Sequence, residues 1–138
     1  MENIFDPGIL KKLRVNVDSE ILIINSPENY LDLFSPDGCR TVFTQEDKGR
    51  YDFVQVFGSS RTELDTLILQ VKEAGKYDCL FWACYPKGGG KIKSDLKREV
   101  VWNSLELIGL RPVLQIALNS TWSALRGRPH AEVKSTKR

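Results

Sequence analysis

The chain has only one histidine and three cysteines, which limits the chemistry it can perform. A catalytic Ser–His or Cys–His pair would have to use His130, close to the carboxyl terminus. Cys79 and Cys84 are five residues apart on one predicted strand, so they should point to opposite faces rather than bind a metal together. Paired carboxylates for acid–base catalysis are not evident at predicted strand ends. We therefore expect no catalytic residues and no metal site.

Long apolar runs and an excess of one charge are also missing. No stretch approaches the roughly 20 apolar residues that cross a bilayer, and the first residues do not resemble a signal peptide. Lysine and arginine number 20 and acidic residues 18, a net charge of +2. The odd, scattered cysteines are typical of free thiols in a reducing compartment. We expect a cytoplasmic protein with no membrane partner.

Nucleic acid is an unlikely partner on the sequence evidence. The basic residues cluster between residues 87 and 98 and in the last residues of the chain. Nucleic-acid-binding modules usually add aromatic stacking platforms or a known motif to such residues, and neither is evident. A solvated basic surface is the better interpretation.

Strand and helix patterns alternate along the chain. Six strands are predicted at 20–25, 41–44, 51–57, 77–85, 113–118 and 121–126. The clearest helix starts at Ser60, which has capping-box spacing to Glu63, and a second helix is predicted to start at Ser94. Right-handed crossovers through such helices predict an α/β, three-layer Rossmann-like fold with a mostly parallel sheet.

The predicted strand order is 2-1-3-4-6-5, in which strands 5 and 6 form a C-terminal antiparallel hairpin. Residues 1–129 are predicted to be a single domain, and residues 130–138 a basic, flexible tail. The expected core consists of Leu22, Ile24, Val54, Val56, Leu67, Leu80, Trp82 and Val101.

Three segments carry a family resemblance: DFVQVFGSSRTEL at 52–64, LFWACYPKGGGKIKSDL at 80–96 and TWSAL at 121–125. With them the chain resembles a bacterial family of small proteins that is classed as a domain of unknown function. The order of its elements also resembles a shortened methyltransferase-type Rossmann domain.

The sequence departs from true methyltransferases at the turn that follows the first strand. Those enzymes have a glycine-rich turn there, which lets the backbone approach the cofactor. Here the turn at 25–29 has no glycine, and Pro27 removes one amide donor. Glu46 could imitate the acidic residue that holds a ribose in such folds. On this evidence we expect no cofactor.

Ligands of open parallel sheets bind beyond the carboxyl ends of the strands, where the strand order reverses. The crevice should lie between the strands that end at Asn25 and Phe57. A small anion is the expected ligand, since two helix starts and a lysine-rich loop converge there. Alternatively, Ser60 and Ser94 cap the two helices and satisfy their first backbone amides, and side chains fill the crevice. The candidate ligand-binding residues are Ser26, Gly58, Ser59, Ser60, Arg61, Lys87, Lys91 and Trp122.

The leading functional hypothesis is a non-catalytic binding or interaction module, and not an enzyme. A homodimer through the edge at 41–44 or through the hairpin is possible. The alternative is a diverged S-adenosylmethionine-dependent methyltransferase, whose cofactor pocket would have to tolerate the turn at 25–29.

Overall fold

One mixed sheet of five strands organises the chain in this computed structural model, which describes residues 5–35, 37–88 and 92–133. The strands are β1 Ile21–Ile24, β2 Tyr51–Phe57, β3 Gly75–Pro86, β4 Leu110–Ala117 and β5 Trp122–Pro129. The α-helices are α1 Ile9–Lys12, α2 Arg61–Gln70 and α3 Arg98–Glu106, and short 3-10 helices cover Tyr30–Leu33, Gln45–Asp47 and His130–Glu132.

The strands lie in the order β1-β2-β3-β5-β4. β1, β2 and β3 are parallel, while β5 is antiparallel to both β3 and β4. This confirms the Rossmann-like α/β class and the terminal hairpin, and the five strands keep the predicted relative order. Two of the four strand pairs are antiparallel, so the sheet is mixed rather than mostly parallel.

The predicted strand at 41–44 does not form, so the prediction of six strands is wrong. Only Arg40 makes a bridge, to Leu22 of β1, through two backbone hydrogen bonds of 2.8 Å. Thr41, Val42 and Thr44 are exposed. A segment that buries neither face gains little from joining the sheet.

One face of the sheet, here called the helix face, packs against α2 and α3. Leu64 and Ile68 of α2 and Val101 and Leu105 of α3 are fully buried on it. Ser60 caps α2 as predicted, since its hydroxyl accepts a hydrogen bond from the Glu63 amide. The strand residues of this face include Leu22, Val54, Val56, Phe81, Ala83 and Leu125.

The opposite face, here called the segment face, is covered by α1 and the 3-10 helix Tyr30–Leu33. The indole of Trp82 donates a 3.2 Å hydrogen bond to the Leu13 carbonyl just after α1. The hydroxyl of Tyr30 donates to Gln55 Oε1 at 2.7 Å, and Gln55 Nε2 donates to Cys84 Sγ at 3.2 Å. Specific polar contacts therefore attach short segments to this face.

Other sequence predictions are partly met. Cys79 and Cys84 pack on opposite faces, as expected. α3 starts at Arg98, with Lys97 as its N-cap, instead of at Ser94. Five of the expected core residues are buried, whereas Ile24, Leu67 and Leu80 are half-buried.

The start of the predicted tail forms the 3-10 helix His130–Glu132, and residues 134–138 lie outside the described part. Across residues 5–35, 37–88 and 92–133, no helix has the length and apolar character needed to cross a membrane.

Candidate functional site

The carboxyl ends of the three parallel strands meet at one edge of the sheet, called here the carboxyl edge. β1 ends at Ile24, β2 at Phe57 and β3 at Pro86. This is the edge where ligands of open α/β sheets bind. The sequence analysis placed its candidate crevice here, between β1 and β2.

Asparagines shape the turn that follows β1. Asn25 has a φ of 61° and Asn29 a φ of 74°, both in the left-handed region that usually favours glycine. Asparagine is one of the few other residues that adopt this conformation readily. The side-chain amide of Asn25 donates a 2.9 Å hydrogen bond to the Phe57 carbonyl, which ties the end of β1 to the end of β2. The sharp turn that glycine would provide is therefore made without it.

The same turn exposes backbone donors at the carboxyl edge. Within it, the Tyr30 amide bonds to the Pro27 carbonyl at 3.2 Å. The amides of Ser26, Glu28 and Asn29 donate to no group in the part of the chain that the structure describes. Ser26 is half-buried, and its place on the floor of a ligand crevice stays a prediction. Three backbone donors are thus left for water or a ligand.

The start of α2 brings Gly58, Ser59, Ser60 and Arg61 together beside this turn. A Cβ on Gly58 would lie 2.8 Å from the Cα and Cβ of Leu64, so the chain packs against α2 as closely as glycine permits. The side chain of Glu63 accepts from the Ser59 amide at 2.8 Å. The amide of Arg61 donates to Asp95 Oδ1 at 2.8 Å.

These contacts fit the alternative in which protein side chains satisfy the backbone amides at the start of α2. The guanidinium of Arg61 also has an acidic partner, Asp65, with Nε 3.5 Å from Oδ2. Protein carboxylates and the Ser60 hydroxyl occupy the donors that a small anion would need. Of the residues proposed for the site, Gly58, Ser59, Ser60 and Arg61 lie together, and the polar groups named here at the start of α2 are engaged by the protein.

The loop after β3 lies farther along the carboxyl edge. The Lys87 amide donates to the Thr121 carbonyl at 2.8 Å. A cavity of about 580 Å³ on one side of Lys87 is also lined by Tyr85 and Arg98, and one of about 480 Å³ on the other side by Ile92 and Lys93. Lys91 lies outside the described residues.

Trp122 reaches the carboxyl edge from the start of β5. It is only 6% exposed, and its ring packs edge-on against that of Phe57 at 5.4 Å between centroids. The indole N–H is buried and has no hydrogen-bond partner in the described structure. Trp122 therefore packs beside the end of β2.

Two residues that matter for this edge were missed or misplaced by sequence reasoning. Asn25 was seen only as part of a turn without glycine, although an asparagine directly after a buried strand is itself a signal for a left-handed residue. Glu46 belongs to the 3-10 helix Gln45–Asp47, where Asp47 contacts Tyr51 at the start of β2. Glu46 therefore lies at the amino edge of the sheet and not at the carboxyl edge.

The three thiols do not provide a nucleophile at this edge. Burial raises the pKa of Cys39, raises the pKa of Cys79 to about 12, and raises that of fully buried Cys84. Such groups stay protonated at neutral pH and are unreactive. Among the described residues, no group of three or more His, Cys, Asp or Glu side chains could hold a metal ion.

Three solved structures that share this fold are methyltransferases. A SAM-dependent methyltransferase from Aquifex aeolicus has a TM-score of 0.59 and 14% identity, covering 89% of this chain and 89% of that chain. A putative type 11 methyltransferase from Sulfolobus solfataricus has a TM-score of 0.55 and 13% identity, covering 95% and 82%. The 16S rRNA (adenine(1408)-N(1))-methyltransferase from Catenulisporales acidiphilia, solved with its cosubstrate SAM, has a TM-score of 0.53 and 11% identity, covering 90% and 91%.

No protein-family model matches this chain, and no curated protein matches it. At these identities, the structural likeness shows a methyltransferase-like Rossmann fold. Membership of the bacterial family of small proteins stays a prediction.

The likeness overturns three sequence-based predictions. A non-catalytic module and a protein that is not an enzyme were the leading interpretations, and both are contradicted, because methyltransferases share the fold over 89% or more of the chain. The prediction of a small anion as ligand, with nucleic acid an unlikely partner, is contradicted as well. One of those neighbours holds SAM and is an rRNA methyltransferase.

Proposed function

We propose that this domain is a diverged S-adenosylmethionine-dependent methyltransferase that binds its cofactor at the carboxyl edge, against the turn after β1. The observation that carries the proposal is the left-handed conformation of Asn25 and Asn29 in a fold otherwise shared with methyltransferases. The missing glycine was one argument against a cofactor, beside the amide lost at Pro27, and the two asparagines weaken it because they give the turn its left-handed conformation without glycine.

The turn offers the kind of contact that a nucleotide-like cofactor needs. The amides of Ser26, Glu28 and Asn29 are unengaged by the described protein and stand beside the end of β2. Backbone donors in such a turn suit the polar groups of a cofactor that approaches closely. Bound there, S-adenosylmethionine would supply an electrophilic methyl group to an acceptor.

Asp32 is a better candidate than Glu46 for holding a ribose. It lies in the 3-10 helix that directly follows the turn, and its side chain is exposed. With Ser35 and Thr41, it lines a cavity of about 660 Å³ next to β1. A carboxylate that accepts hydrogen bonds from ribose hydroxyls is the usual device in nucleotide-binding Rossmann folds.

Isothermal titration calorimetry with S-adenosylmethionine and S-adenosylhomocysteine tests this proposal. We expect both to bind, and Asp32→Asn to weaken binding about tenfold through the loss of a charge-assisted hydrogen bond. Asp18→Asn is the matched control, because Asp18 is an exposed aspartate in the loop that enters β1 from the other edge.

Two results would contradict the proposal. The first is the absence of binding heat at millimolar cofactor for a protein that unfolds cooperatively. The second is equal weakening by Asp32→Asn and Asp18→Asn, which would assign the effect to net charge and not to a site.

A further inference from the structure

Four arginines, here called the arginine patch, lie together on the segment face beyond the area that α1 covers. Arg111 of β4 and Arg128 of β5 are directly opposite each other, so their side chains share a face. Arg126 is two residues from Arg128 on the same strand and therefore points to that face too. Arg14 follows Leu13, whose carbonyl accepts a hydrogen bond from the indole of Trp82, and Trp82 lies directly opposite Arg126. Burial lowers the pKa of Arg126, and the positive charges of Arg128 and Arg14 lower it further.

The patch has more positive than negative charge, with Asp78 and Glu132 as the carboxylates that act on Arg128. Asp78 pairs with Arg128 through two bonds, Nε to Oδ1 at 2.9 Å and Nη2 to Oδ2 at 2.5 Å. Among the described residues, Arg14, Arg111 and Arg126 form no ion pair with a carboxylate. The Nε atoms of Arg111 and Arg126 are buried without a hydrogen-bond partner.

Such an arrangement is unfavourable for the protein alone. Like charges directly opposite on neighbouring strands repel, and a buried N–H without a partner loses the hydrogen bond it would make with water. Arg14 also has a left-handed backbone, with a φ of 62°. An anionic partner would offset the repulsion among these cations.

We propose that the arginine patch, which lies toward the amino edge of the sheet, binds the phosphate backbone of a single-stranded RNA that extends to the carboxyl edge as the acceptor of the methyl group. This inference rests on the proposed methyltransferase function, and it names the substrate class. Guanidinium groups match phosphate oxygens in geometry and form paired hydrogen bonds with them.

A polyanion fits the patch better than a small anion does. Arg126 and Arg128 are about 7 Å apart along β5, from the rise of an extended strand. Arg111 extends the row of charges to β4, and Arg14 extends it to the loop after α1. A single phosphate could contact only part of such a surface, while a strand of successive phosphates can contact all of it.

Fluorescence anisotropy with a short, fluorescein-labelled, single-stranded RNA of mixed sequence tests the proposal in a series of salt concentrations. We expect Arg111→Gln/Arg126→Gln to weaken binding about tenfold or more at low salt. Its plot of log affinity against log salt should be shallower by about 1.4, or roughly 0.7 for each lost phosphate contact. The control Arg40→Gln/Lys48→Gln removes the same charge between β1 and β2 and should have a much smaller effect.

Arg14→Gly keeps the test valid if the double variant does not fold. Glycine adopts the φ of 62° without strain, so this variant should be as stable as the parent. It should still weaken RNA binding, because one cation of the patch is gone.

Calorimetry with S-adenosylmethionine on the same preparations separates this inference from the proposed function. Cofactor binding with no RNA binding, or RNA binding that the patch variants leave unchanged, would overturn the arginine patch alone. Binding of anionic vesicles without binding of RNA would overturn it too. RNA binding that depends on the patch, with no cofactor binding, would support the patch as a binding surface and refute the methyltransferase.

Discussion

The two faces of the sheet are covered in different ways: two α-helices pack on one face, and short segments of chain pack on the other. On the helix face, α2 and α3 bury a continuous apolar layer that includes Leu64, Ile68 and Leu105. On the segment face, short pieces of chain bury an apolar layer of their own and are also attached by buried hydrogen bonds around Gln55 and Trp82. This cover does not extend over the β4–β5 hairpin, where the arginine patch lies. We infer that both faces contribute to stability through buried apolar side chains, and that the uncovered part of the segment face is free to carry function.

The largest effect is expected from truncating one leucine on each side of the hairpin. Leu125 is fully buried on the helix face, whereas Leu114 is 37% exposed opposite Arg126. Leu125→Ala should lower the free energy of unfolding by about 2–5 kcal/mol, because it leaves a cavity in a packed core. Leu114→Ala should lower it by about 1 kcal/mol or less.

Urea denaturation of both variants measures the comparison. Equal losses would mean that both sides of the hairpin are packed to the same degree. In that case the segment face would have no surface to spare for a ligand.

Sequence patterns predict the helix face better than the segment face. Capping by Ser60 and the apolar stripe of α2 are local signals, and the structure has both where they are expected. The segment face depends on contacts distant in sequence, such as Trp82 with Leu13, for which no local pattern exists. The loss of the strand at 41–44 has the same origin, because pairing depends on what covers the segment and not on its β-branched residues.

At the candidate site too, the features set by local sequence or topology are predictable, and those set by contacts distant in sequence are not. The prediction that a ligand crevice lies at the carboxyl edge comes from topology alone, which the alternation of elements indicates. The engaged state of the Arg61 amide depends on Asp95, which is 34 residues away. The left-handed Asn25 could be anticipated from residue type, but its bond to the Phe57 carbonyl could not.

A second prediction concerns the buried polar network of the segment face. Tyr30→Phe removes the donor of the 2.7 Å hydrogen bond to Gln55 Oε1 and leaves that oxygen buried without a partner. The free energy of unfolding should fall by about 1–3 kcal/mol. Tyr51→Phe is the matched control on the helix face, since Tyr51 makes only a 3.4 Å contact with Asp47, and its effect should be within about 0.5 kcal/mol.

The double variant Tyr30→Phe/Gln55→Met sharpens that test. It removes both partners, so it should recover part of the stability that Tyr30→Phe loses. If Tyr30→Phe were as mild as Tyr51→Phe, the attachment of the 3-10 helix would have to depend on apolar packing alone.

A third prediction concerns the turn after β1, where the two faces meet at the carboxyl edge. Asn25→Ala and Asn25→Gly both remove the hydrogen bond to the Phe57 carbonyl, but only alanine is strained at a φ of 61°. Asn25→Ala should therefore be less stable than Asn25→Gly by about 1 kcal/mol in thermal unfolding. Equal stability would indicate that the turn relaxes out of the left-handed conformation.

The smallest change in stability is expected at Asp78, the acidic partner within the arginine patch. Hydrogen bonds from Arg128 lower the pKa of the Asp78 carboxyl. Its ion pair therefore stabilises the fold above the pKa of the unfolded chain, near pH 4, and this contribution is lost as the pH falls through the lower folded value. Asp78→Asn should be slightly less stable at pH 7, and the difference should disappear in acid. Asparagine also tolerates the left-handed φ of 58°, so the backbone is not a second variable.

The same variant distinguishes a binding surface from a structural ion pair. If the arginine patch binds RNA, Asp78→Asn frees Arg128 and should tighten RNA binding several-fold at low salt, although the protein itself is less stable. Asp52→Asn is the control, because Asp52 also has a lowered pKa and pairs with Lys76, away from Arg128. A structural ion pair would give a stability loss in both variants with no change in RNA affinity. Lower stability together with tighter RNA binding in Asp78→Asn, but not in Asp52→Asn, would assign RNA binding to the segment face.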